Sequence, residues 1–520
     1  MVLISFYLFG IKNRYRMIEN KQILFKGISY SYVYIFVYLI TGILTTPILL
    51  NYFKSEYFAL LMLIYSIITY LNNIRFGLPE SLAALIAKGK GVNQKINLIK
   101  KTFYILLVLT SLLLCFLYIM GYFIDDWRII LGDVYHLNEN NVLNVLYILI
   151  LFALIRIPLD LSLSAFIGMN EVYLEKIYKI INLLMNFILV IYVIYFDKSI
   201  VFFALWAGIF DLSISLFSFI HLILKHNVYK VSRKNISVKT SYLLKSGYYF
   251  FQLSLTQAII WGLGILLVSH LLTLDDVTTY SLSMKIYIYI FYTFTIINTV
   301  LAPLYGKYYA KNKWNELNKT FGIMMFILPT LGGFIWFGTI FFMSEIILIW
   351  TGSNDYYIGS LFTLLFGMFF YFTGYVNNYI TLIYSVGHIR NIIYIRWYEV
   401  FLNVLISIVC TYLFGLIGIA LGISISIVLT SVILLPKYIK DSFKNKIMID
   451  FKIHMKQFKF IILPSVIIAL LSTTYVSIIW VKLIIFLFLS LFYVISSWKI
   501  ASPNEKSYIM QFIAKSKSND

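Results

Sequence analysis

Arg156 and Asp160 stand one helical turn apart inside an otherwise apolar run, with Pro158 between them. A guanidinium presents a planar fork of donors that matches phosphate oxygens, and an acid four residues on shares its helix face. Two readings stay open. Arg156 is a structural ion pair beside a proline kink, or it faces a lumen and helps to hold a phosphate; both hold if the pair exchanges partners on binding. Arg75 and Lys285 also lie within apolar runs. If those runs cross a bilayer, a charge at mid-depth costs roughly 2.5–3.5 kcal/mol on insertion scales, so each needs a reason. Lys285 shares a face with Ser281, Tyr289, Tyr292 and Thr299, a polar stripe suited to a wall of water or substrate. The competing reading is a lysine that snorkels outward. Arg75 shares a face with Tyr65, Thr69 and Asn72 at the end of its run, where it snorkels or makes first contact with a phosphate.

Asp211 is the deepest acid, roughly 16 Å into its run at 1.5 Å per residue, on a face with Ser215 and Ser218. Asp211 and Asp160 are therefore the candidates for carrying a coupling proton or sodium ion. A static partner for Asp211, such as a buried lysine or tyrosine, is the alternative. Glu80 and Glu399 lie near run ends and are expected to face water. Tyr30, Tyr34 and Tyr38 follow one helix face, and such rings stack on sugars while offering a hydroxyl. With 43 tyrosines in the chain, most are expected to be packing or interface residues. Tyr34, Tyr38, Tyr292 and Gln257 complete the candidate substrate wall formed with Arg75, Arg156 and Lys285. No Gly-x-x-x-x-Gly-Lys-Ser/Thr loop offers a seat for ATP and no His-Glu-x-x-His pattern offers one for a metal. No catalytic residue and no resident cofactor is expected.

The elements that must position these residues are set by composition. Of 520 residues, 61% are hydrophobic and 12% charged, with a mean hydropathy of +0.87. A soluble surface needs about twice that charge. Lipid is the solvent that accepts such a chain, and in lipid the backbone must form helices or closed barrels. The apolar runs are about 17–26 residues long and lack strand alternation, so helices are predicted. Fourteen are expected, from 28–50 and 57–77 to 460–480 and 483–498. Cys115 and Cys410 both fall inside such runs and suggest neither a disulfide nor a metal site. Richness in Ile, Lys, Asn and Tyr points to an AT-rich bacterial genome.

The net charge of +20 invites a nucleic-acid reading. Its placement argues otherwise. Four of the 42 Lys and Arg fall in outer connections (Lys54, Arg128, Lys198 and Lys482) and three within spans, while the rest crowd the alternate connections and termini. The outer side holds acids instead, among them Asp125, Asp126, Asp133, Asp275 and Asp276. This is the positive-inside pattern, and it predicts both termini in the cytoplasm. The charge thus reports topology and contact with membrane lipids, with no nucleic-acid partner expected. No signal peptide is evident at residues 1–10, and Met17 rivals Met1 as the start.

An internal repeat near an offset of 220 residues pairs Gly27 with Gly247, and Ser55-Glu56 with Asp275-Asp276. Pro79 and its basic tail likewise pair with Pro303 and its own. The repeat predicts two parallel six-helix lobes around a central cavity: an N-lobe at 27–224 and a C-lobe at 247–436. A cytoplasmic linker at 225–246 joins them, and a C-terminal hairpin at 460–498 follows. The fold class expected is an all-α polytopic membrane protein.

With this layout the chain resembles the multidrug/oligosaccharidyl-lipid/polysaccharide exporter superfamily, most of all its O-antigen and capsule polysaccharide flippases. The resemblance is carried by Pro47, by Asn73-Ile74-Arg75-Phe76-Gly77-Leu78 and by Ile167-Gly168-Met169-Asn170. It continues in Ala302-Pro303-Leu304-Tyr305, Leu348-Ile349-Trp350-Thr351-Gly352 and Gly415-Leu416-Ile417-Gly418-Ile419-Ala420. It implies a non-enzymatic flippase in the bacterial inner membrane that turns undecaprenyl-pyrophosphate-linked oligosaccharide between leaflets by alternating access. Polysaccharide polymerase and chain-length machinery are the further partners it implies. The rivals are a multidrug/cation antiporter and a lipid II flippase of the same superfamily. A membrane glycosyltransferase or polymerase is the rival of another class, and it would need a larger outer loop than the eighteen residues at 125–142.

Overall fold

A computed structural model describes residues 18–506 apart from 74, 89–90, 124–138, 231–239, 389, 391, 450–454, 477, 502 and 504–505. Met17, Arg128, Asp125, Asp126 and Asp133 lie outside the described residues, as do the middle of the 225–246 linker and most of the 125–142 connection. The described residues are helical, with turns and no strand among them. Twelve helices are long and apolar enough to cross a membrane. One of these, Lys26–Leu71, holds two spans, because the helix α1 (Ile18–Asn73) breaks at Lys54, where φ is 63° and ψ is 171°. A further helix, Leu274–Ala310, is also long enough to span. Splitting the first and adding this one gives the fourteen spans expected.

The chain divides into two compact units, 16–281 and 282–520, with the boundary inside the helix Leu274–Ala310. In the first unit α1 is followed by α2 (Leu78–Lys88), α3 (Val92–Phe123), α4 (Glu139–Leu159), α5 (Leu161–Gly168), α6 (Val172–Tyr195), α7 (Ile200–Lys225) and α8 (Thr240–Leu271). Pro158 has no N–H to give and α4 stops at Leu159, so Asp160 sits in the turn that opens α5. Helix α6 packs on α1, and α4 on α7. The turn 75–77 runs against α8 so closely that a side chain at Gly77, whose φ is +59°, would overlap the Gly247 carbonyl. Ser55 Oγ donates to Asp275 Oδ1 at 2.7 Å, and Thr278 Oγ1 donates to the Ser55 carbonyl at 2.7 Å.

The second unit holds α9 from Leu282 on, α10 (Trp314–Thr351), α11 (Ser360–Val386) and α12 (Ile392–Phe414). It continues with α13 (Leu416–Ile427), α14 (Ile433–Ser442), α15 (Leu463–Tyr475) and α16 (Ile479–Ile500). A wide π turn at Val428–Val432 joins α13 to α14, and another at Phe458–Ile462 leads into α15. The last two helices cover α10 through Trp336, Phe337, Phe341, Ile462, Leu489 and Tyr493. Tyr493 donates to the Thr330 carbonyl at 2.7 Å, and Lys482 meets Glu345 at 2.6 Å. Glu399 departs from its expected place in water. It is 1% exposed, because Arg396 Nη1 lies 2.7 Å from its Oε2 and Ser431 also donates to that oxygen. A sequence cannot show that a serine 32 residues away will be its neighbour.

Candidate functional site

Within the first unit, α1, α2, α4, α5, α6, α7 and the turn at Arg75 enclose a cavity of about 590 Å³. Its wall includes Tyr34, Arg75, Arg156 and Asp160 from the residues singled out above. Arg156 does more than pair along its own helix. Its Nε lies 3.1 Å from Asp160 Oδ2 and its Nη1 2.6 Å from Asp211 Oδ2, so one guanidinium bridges α4, the 160 turn and α7. Asp211 thus finds its partner in an arginine, where a lysine or tyrosine was the alternative named. Its other oxygen accepts from Asn182 Nδ2 at 2.7 Å and Asn186 Nδ2 at 3.1 Å. Asp160 Oδ1 accepts from Ser215 Oγ at 2.6 Å, and Ser162 and Ser218 share a hydrogen bond of 2.6 Å. Two carboxylates share one guanidinium, and amides and a hydroxyl fill their remaining lone pairs. A buried charge needs that degree of satisfaction.

Towards the Arg75 end of the cavity a second charged group forms on α6. Glu175, with its side chain 2% exposed, meets Lys179 at 2.6 Å and Lys176 at 3.0 Å. The two ammonium groups stand 5.7 and 5.1 Å from the centre of the Tyr34 ring, within cation–π range. Tyr34 lies 6.3 Å from the Tyr38 ring, and Tyr30 pairs with Tyr173 at 6.3 Å. Beyond the span, Glu171 meets Lys225 at 3.0 Å and His226 at 3.1 Å. Burial works against the charge of Glu171, but the hydrogen bonds from His226 and Lys225 outweigh it and hold the carboxyl below its ordinary range.

The remaining candidates stand apart from this cavity. Gln257 is exposed on α8, and Tyr38 is half-buried behind Tyr34. Lys285 and Tyr292 are half-buried on α9 in the second unit, and Tyr289 beside them packs against Trp350 at 6.3 Å. Sequence reasoning missed Glu175, Lys179, Asn182 and Asn186 as a set. Their spacing of four, three and four residues is a polar stripe on one helix face, but the two lysines had been read as markers of topology. No group of three or more His, Cys, Asp or Glu that could hold a metal occurs among the described residues.

A family model described as "Polysaccharide biosynthesis protein" matches residues 24–309. The chain is 28% identical over 189 residues to a putative O-antigen transporter of Salmonella typhimurium, an alignment covering 35% of this chain and 42% of that protein. A putative O-antigen transporter of Salmonella typhi is 26% identical over 202 residues, covering 37% and 44%. The aligned part thus spans less than half of either relative. Among solved structures, the lipid II flippase MurJ in an inward closed conformation superposes with a TM-score of 0.66 at 16% identity, over 91% of this chain and 99% of that one. An inward-facing multidrug resistance MATE family transporter of the MOP superfamily superposes at 0.61 with 12% identity, over 78% and 94%. At these identities the likeness is one of fold, and the fold is that of this superfamily of transporters. With more than half of its length matched, this multi-pass membrane protein belongs to the polysaccharide biosynthesis protein family.

Proposed function

We propose that the chain is a flippase that turns undecaprenyl-pyrophosphate-linked oligosaccharide repeat units from the cytoplasmic to the outer leaflet of the bacterial inner membrane. It does so by alternating access, for the assembly of O-antigen, capsule or exopolysaccharide. The observation that carries this reading is the cavity, whose wall sets Arg75, Arg156 and Lys179 beside Tyr34, Asn182 and Ser215. Cations and amides suit a diphosphate, and a tyrosine ring suits a sugar face. At about 590 Å³ the cavity has the size of a small-ligand site. It takes a diphosphate with a sugar or two, while the polyprenyl tail stays in lipid.

Crowding of Lys and Arg on alternate connections places the Arg75 end and both termini in the cytoplasm. There an inner-leaflet diphosphate meets the cavity first. Asp160 and Asp211 are the sites for a coupling proton or sodium ion, since release of either from Arg156 frees a carboxylate. Polymerase and chain-length machinery then receive the unit outside. Deletion of the gene is expected to abolish surface polysaccharide and to accumulate lipid-linked repeat units on the cytoplasmic side. Normal polysaccharide with altered dye efflux would instead support a drug antiporter and overturn the proposal.

A further inference from the structure

Glu175 sits in the cavity wall with almost no exposure, yet a cavity built for an anion has no evident use for a buried carboxylate. Its surroundings explain it. Lys176 and Lys179 hold it from the same helix, and both ammonium groups also lie over the Tyr34 ring of α1. Two ammonium groups and an aromatic ring around one carboxylate form the seat that an incoming anion would itself occupy. Each ammonium is a mobile point charge on a flexible stem and can change partners without moving the backbone.

We propose that Glu175 is a built-in substitute for the anionic headgroup: it fills the seat of Lys176, Lys179 and Tyr34 while the cavity is empty, and it sets the charge a ligand must bring. The inference rests on the flippase reading and deepens it by naming what is admitted and what is refused. A ligand enters by drawing both lysines away from a buried carboxylate, which then stays as a repelling neighbour. A monophosphate has one phosphoryl group to set against that loss. A diphosphate has two, enough to bridge both ammonium groups and extend toward Arg75 on the same wall. Diphosphate-linked lipids pass and monophosphate-linked lipids are refused. A spent carrier bearing a single phosphate would therefore not compete for the cavity.

The test uses the full-length protein in phosphatidylglycerol/phosphatidylethanolamine nanodiscs, with calorimetric titration of geranyl diphosphate and geranyl monophosphate. Wild type is expected to bind the diphosphate at least about tenfold more tightly than the monophosphate. Glu175→Gln is expected to bind both more tightly and to bring the ratio below about threefold. Glu175→Asp, which withdraws the carboxylate by one methylene, moves the ratio the same way and serves if the glutamine variant does not fold. Lys176→Gln with Lys179→Gln is expected to weaken diphosphate binding. If wild type discriminates and both Glu175 variants keep its ratio, the substitute role is overturned and the flippase reading stands. If wild type and variants bind neither probe, the diphosphate cavity is overturned and this inference falls with it.

Discussion

Arg156 carries two carboxylates, and that ratio decides what its loss would do. Alanine there leaves Asp160 and Asp211 facing each other in a largely buried site, and breaking a buried pair from one side costs about 3–5 kcal/mol. Arg156→Ala is therefore expected to lower the melting temperature well below that of the triple variant Arg156→Ala/Asp160→Asn/Asp211→Asn. Thermal unfolding in detergent measures both, and equal melting temperatures would show that the three groups do not act as a unit. Glu171 gives a pH signature. Its carboxyl titrates below its ordinary range in the folded chain, so its contribution is present above that range and lost as pH falls through the depressed value. Glu171→Gln is expected to cost about 1–2 kcal/mol near neutral pH, with the difference from wild type vanishing in strong acid. A penalty that persists there would show that the contact owes nothing to charge. At this scale the Arg156–Asp160 pair was legible, because four residues of helix bring two groups together by arithmetic. Asp211 was legible as a buried acid but its partner was not, since residues 55 apart meet through helix packing that no local spacing encodes.

Helices were legible because their apolar length is dictated by lipid, but their breaks are where function and strain collect. Lys54 has backbone angles that glycine alone adopts freely. Lys54→Gly is expected to raise stability by about 1 kcal/mol or more, read as a rise in melting temperature; a fall would mean that the side chain matters more than the backbone. Gly77 lies at the opposite extreme, with positive φ and the Gly247 carbonyl where a Cβ would go. Gly77→Ala is expected to reduce the monodisperse, folded fraction sharply in fluorescence-detected gel filtration, whereas unchanged yield would mean that the turn and α8 separate easily. The sequence reading took Gly77 as a family mark. The close approach that requires it appears only when α8 is in place. The polar stripe of α6 was open to the same arithmetic as Arg156–Asp160, and it was missed because topology already accounted for its lysines.

For the whole molecule, the charge asymmetry makes a claim about sidedness that labelling can check. In a background without Cys115 and Cys410, single cysteines at Lys54 and Lys198 are expected to react with an impermeant maleimide on intact cells. A cysteine at Lys313 is expected to react only after permeabilisation, and the reverse pattern would invert the topology. The count of fourteen spans was legible from hydropathy alone, while Glu399 was misplaced because its pairing with Arg396 and Ser431 depends on the wall that α13 and α14 form with α12. That wall contains the π turn at Val428–Val432, and a second one precedes α15. A π turn holds one residue more than the α-helical turn it replaces. Removing that residue restores a regular helix but rotates everything beyond it by about 100°, which would take Pro436 and Ile439 off their buried face. For anyone aligning distant relatives, these two turns are the places within a helix where a one-residue gap is tolerated. A gap elsewhere in α13 or α15 marks a misalignment.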